Sequence, residues 1–164
     1  MPNPARAAWL NSFDGHIHSG KAFCVSHQLN ALASSASSAF LFRVQDQDCH
    51  LESFAISATQ SPALLELREG VVASSVGTAL VPYNRYRDSS NAASSVLCSH
   101  SATLSNEGTV IHRSRVIGEK HAGSSGDSQD AEWILKPNTN YAFKVTNENG
   151  GAANIIFRAN FYEG

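Results

Sequence analysis

The sequence predicts one all-β domain, a jelly roll or β-sandwich of about nine short strands preceded by an extended N-terminal arm. Three observations lead there. Apolar residues alternate with period two in short runs, and no helical period is sustained over three turns. Gly, Pro, Ser and Asn punctuate those runs at close intervals. Hydrophobic residues make up 42% of 164 residues, enough for one core, and no repeat or linker divides the chain.

The strands follow in order. Residues 21–28 set Phe23, Val25 and His27 on one face, and residues 39–44 do the same with Phe40, Phe42 and Val44. Residues 50–58 align Phe54, Ile56 and Ala58, and residues 63–69 turn Leu65 and Leu67 inward. Further runs lie at 93–98, 109–117, 131–136, 139–147 and 153–163. In the last two, Tyr141, Phe143 and Val145 alternate with polar residues, Asn147 to Gly151 offers a turn, and Ile155, Phe157, Ala159 and Phe161 share a face. That pattern predicts a C-terminal hairpin.

Three stretches depart from alternation. Residues 28–38 are rich in Ala and Ser and read as a loop or a short helix. Residues 118–130 have no apolar anchor and read as a long exposed loop. Residues 1–13 hold two prolines and the isolated Trp9, and read as an arm, with the domain spanning 14–164.

Composition narrows the function. Charged residues are only 16% and the net charge is −2, with no Lys/Arg stripe of the kind that neutralises phosphates. Nucleic acid is not the expected partner. The first twenty residues hold no apolar signal core, and no stretch is long and apolar enough to span a bilayer. Cys24, Cys49 and Cys98 are odd in number and irregular in spacing, which predicts free buried thiols in a reducing cytosol rather than a disulfide framework. A surface poor in charge repels other protein weakly, which suits a subunit that packs against neighbours.

Candidate chemistry is sparse. His16 and His18 form an HxH pair that a strand would point to one side, as in cupin-type metal sites, but no carboxylate follows at the needed offset. The other five histidines lack a second ligand motif, so no metal or cofactor is expected. No nucleophile elbow, HExxH, P-loop or GxGxxG is present, and the chain is read as non-enzymatic. The densest aromatic and cationic cluster is Val81 to Asp88. There Tyr83, Arg85, Tyr86 and Arg87 have the composition of an interface hot spot, against the alternative of a solvated loop whose arginines pair with Asp88. In Glu132 to Thr139, Trp133 and Leu135 are expected to face the core, with Pro137-Asn138 as a corner.

Taken in order, Ile17 to Phe23, Pro82 to Arg85, Glu132 to Tyr141, Val145 to Asn147 and Phe161 to Glu163 resemble a family of small tailed-bacteriophage virion proteins, the capsid decoration or cement proteins. The resemblance runs from about residue 14 to the C-terminus, and its specificity lies in order and spacing. Tyr86-Arg87 stands where the family pattern tends to have a second Asn–Arg pair.

The resemblance implies a jelly-roll-like domain on the outside of the shell, bound to the major capsid protein and to itself as a homo-oligomer, dimer or trimer. It places the protein on the virion capsid surface after folding in the host cytoplasm. Three features are then expected to carry binding: the arm with Trp9, the Tyr83–Arg87 loop, and an exposed aromatic edge near Tyr162. The alternatives are a tail-fibre module and a carbohydrate- or receptor-binding sandwich using Trp9, Tyr83 and Tyr86 as stacking faces. A cupin-like metal enzyme at His16 and His18 is a further one.

Overall fold

The computed structural model describes residues 13–117, 124–125 and 132–164. A six-residue helix, α1 (Phe13–His18), leads into β1 (Ala22–Leu32), β2 (Ser37–Val44), β3 (Cys49–Ala58) and β4 (Ala63–Glu69). Three short strands follow, β5 (Val72–Ser75), β6 (Thr78–Leu80) and β7 (Tyr83–Asn84). Then come β8 (Val96–Asn106), β9 (Thr109–Val116), β10 (Ser124–Ser125), β11 (Trp133–Leu135), β12 (Asn140–Asn147) and β13 (Ala153–Glu163).

Two antiparallel sheets pack as a β-sandwich, as the alternation predicts. One sheet runs β10-β3-β13-β1-β7, with β11 also paired to β3. The other runs β5-β8-β2-β12-β4-β9, with β6 also paired to β8. The predicted inward residues meet between them. Phe40 stacks on Phe157 at 4.3 Å between centroids, and Phe143 approaches Phe157 at 4.9 Å and Phe54 at 5.1 Å. Each ring is fully buried. Burying one such side chain contributes about 2–3 kcal/mol, so this aromatic layer is a main source of cohesion.

The expected C-terminal hairpin does not form. β12 lies in one sheet between β2 and β4, and β13 lies in the other between β1 and β3. Both strands carry one apolar face, and those faces meet across the core instead of the edges pairing. The turn between them is tied to another loop. The buried Asn147 side chain donates to the carbonyls of Leu32, Ala33 and Gly151 and accepts from the Asn149 N–H. Those bonds steer the chain from one sheet to the other.

Other differences have local causes. The Ala/Ser-rich stretch is neither loop nor helix for most of its length, because β1 continues to Leu32 and β2 starts at Ser37. A bulge at Ala31, with φ 48° and its N–H on Asn154 Oδ1, ends the regular register. The segment from Val72 to Asn84, where apolar runs are very short, supplies β5, β6 and β7. Val71 and Ala73 fold over the outer face of their sheet and bury Leu41 and Ala142, which point away from the main core. The 118–130 loop and the 1–13 arm lie outside the described residues, apart from Phe13 in α1 and Ser124–Ser125, which pair with Ser57 and Ala58.

Candidate interaction surface

Pro82 to Asp88 sits at one end of the sandwich, where β7 pairs with the start of β1. Its shape is set by Asn84. That side chain is buried and donates to the carbonyls of Gly20 at 2.8 Å and Asn91 at 3.1 Å, while its oxygen accepts from the Tyr86 N–H at 2.9 Å. Gly20 holds its side of the joint at φ +71°, and a Cβ there would come within 2.5 Å of Ser89 Oγ. Only glycine adopts that backbone without strain.

On this frame the four predicted residues face solvent. Tyr83 is 59% exposed and Tyr86 44%. The Arg87 guanidinium lies 5.6 Å from the Tyr83 ring centroid and donates to the Asn84 carbonyl, and Arg85 lies 5.1 Å over Phe13 of α1. Among the described residues neither arginine has an ion-pair partner, so Asp88 does not neutralise them. The loop therefore shows two aromatic rings and two cations that have no ion-pair partner among the described residues.

Tyr162 differs from expectation. It is buried at 7% exposure, so it offers no exposed edge. Its ring stacks on His16 and on His50, and its hydroxyl donates to Glu132, which also holds His50. The cause is α1: the residues expected as strand or arm curl into a helix and cover the end of β13. On a helix His16 and His18 diverge by about 200°, so they do not form the same-sided pair that a strand would give. Among the described residues no group of three or more His, Cys, Asp or Glu is placed to hold a metal. Trp9 lies outside the described residues.

Two polar anchors were not legible. The Glu163 carboxylate accepts from the N–H groups of Ser94 and Ser95 at 2.5 and 2.6 Å, tying the C-terminal end to the entrance of β8. The buried Glu66 carboxylate sits between Arg68 and Arg113, each at 2.6 Å. Burial pushes the Glu66 carboxyl up, but hydrogen bonds from Arg113 and Arg68 outweigh it and hold it below the ordinary range. Arg68 stands two residues from Glu66 on the same strand, but nothing in the sequence shows that Arg113 reaches Glu66 or that Ser94 and Ser95 reach Glu163, because those partners are distant along the chain.

Comparison with protein-family models, with curated proteins and with solved structures finds no match. Fold and loop define an antiparallel β-sandwich that presents a preformed aromatic and cationic surface.

Proposed function

We propose that this chain is a virion structural protein that binds the outer surface of a tailed-phage capsid and stabilises it across capsomer seams. The observation that carries this reading is the Tyr83–Arg87 loop, whose backbone is held by Asn84 while its rings and guanidiniums stay exposed. A surface ordered before binding loses little entropy on docking, and Tyr and Arg are the side chains that most often dominate an interface. These cations, without an ion-pair partner among the described residues, suit an acidic patch on the major capsid protein. Binding that exists only on the assembled shell stabilises that shell by mass action. The ordered likeness to decoration proteins from Ile17 to Glu163 supports the same reading, and with it the jelly-roll form of the sandwich and a homo-oligomer on the virion surface.

The test is co-sedimentation with purified capsids. An Arg85→Ala, Arg87→Ala protein is expected to lose affinity by about tenfold or more, about 1.4 kcal/mol. Unchanged affinity would remove the loop from the interface. Copy number in purified virions tests the role itself: parity with the shell subunit supports decoration, and a handful of copies moves the protein to a tail fibre.

A further inference from the structure

β1 is longer than the strand that flanks it. It pairs with β13 along almost its whole length, but with β7 only at Phe23 and Cys24. β7 stops because the chain enters it from β6, a strand of the other sheet, through Val81 and Pro82. In the register that sets Phe23 against Asn84, Pro82 falls opposite Val25. Proline has no N–H to donate, so the ladder ends there.

Backbone groups alternate in direction along a strand. The Lys21 carbonyl accepts from the Glu163 N–H on the β13 side, and the Ala22 carbonyl accepts from the Arg85 N–H on the β7 side. Continued along β1, this alternation turns the N–H and C=O groups of Ser26 and Gln28 toward the side where β7 has ended. No strand pairs there among the described residues.

The bare edge borders a cavity of about 560 Å³ between the sheets, lined among others by His27, Gln28, Asn30, Ser38, His100 and Thr103. With a rise near 3.3 Å, a strand spacing near 4.8 Å and sheets about 10 Å apart, a strand fills roughly 160 Å³ per residue. The cavity therefore matches about three to four residues of one added strand. The edge of a second sandwich, two sheets thick, is too large for it. The lining holds no Asp, Glu, Lys or Arg, so a charged side chain would find no counter-charge there, and an uncharged segment fits it better.

We propose that this edge is a docking site for an uncharged, extended polypeptide segment of a partner protein, which adds to the sheet as a strand beside Ser26 to Asn30. Main-chain bonds to Ser26 and Gln28 supply affinity, and the polar cavity accepts the side chains that point inward. This site lies on β1 and β8 and does not depend on the capsid reading of the Tyr83–Arg87 loop.

The probe is a blocked octapeptide, Thr-Val-Ser-Thr-Val-Ser-Thr-Val, titrated into the full chain with backbone amide exchange as the readout. Exchange at Ser26 and Gln28 is expected to slow by about tenfold or more, while the His27 amide, already bonded to β13, is unmoved. A Gln28→Pro protein removes one outward N–H and is expected to weaken binding by about tenfold. Unchanged exchange at Ser26 and Gln28 under millimolar peptide would overturn the proposal. So would full affinity in a folded Gln28→Pro protein; if that variant does not fold, exchange in the unaltered chain decides. Protection of both amides without peptide, together with a doubled solution mass, would assign the edge to a second copy and also overturn it.

Discussion

The imidazole of His16 lies flat on the phenol ring of Tyr162, 4.0 Å between centroids and 15° from parallel. His50 stacks on the same ring at 4.5 Å, and the Tyr162 hydroxyl reaches Glu132. This stack fastens α1 to the end of β13 and brings the chain at Glu132 to the same point.

Truncation of Tyr162 is therefore expected to act on stability and not on self-association. Tyr162→Ala removes a buried ring and should cost about 2–4 kcal/mol in urea denaturation. Tyr162→Phe keeps the ring and loses only a hydrogen bond to a half-exposed carboxylate, about 1 kcal/mol. Solution mass is expected to stay unaltered in the phenylalanine variant, because the side chain is covered within its own chain.

Acid should weaken the fold in two stages. Burial, then Lys21 and His50, push the His16 pKa below 6.5, with Glu132 opposing; burial and His100 do the same to His27. The unfolded chain takes these protons first. Their stabilisation is present above about pH 6.5 and is lost as pH falls below it. Glu66, Glu69 and Glu132 are held below 4.5, so their contribution is lost in a second stage as pH falls through still lower values. Calorimetric melting across this range checks both stages, and a His16→Gln, His27→Gln protein should flatten the first.

Asn84→Ala is expected to release the Tyr83–Arg87 loop while leaving the sandwich folded. Two carbonyls and the Tyr86 N–H lose their partner, at a cost of about 2 kcal/mol. Amide exchange should quicken at Tyr86 and leave the amides of β12 unchanged. Under the proposed capsid docking, affinity for capsids should fall with it even though no contact side chain has been altered.

The three thiols should react unequally. Cys49 and Cys98 are buried; burial pushes the Cys49 thiol up to about 12 and raises Cys98 further. Cys24 is half-exposed on β1. Alkylation of the native protein at neutral pH, read by peptide mass, is expected to label Cys24 while Cys49 and Cys98 stay unmodified until the chain unfolds.

The class of fold and most of its core can be read from the order of residues. Alternation alone names Phe40, Phe42, Phe54, Phe143, Phe157 and Phe161 as inward, because a strand sends successive side chains to opposite faces whatever it pairs with. It also marked Tyr83 to Arg87 as a surface loop, since proline and asparagine beside unpatterned aromatics and arginines favour a turn. Pairing was decided only in three dimensions. β12 and β13 look like a hairpin because each has one apolar face, but an apolar face is satisfied equally by a partner across the core. Asn147 and the Leu32–Ala33 carbonyls chose between these, through contacts more than 110 residues apart in sequence. Tyr162 was misplaced for a similar reason. Its burial depends on α1 and on Glu132 arriving from distant parts of the chain, and residue spacing carries no record of such meetings.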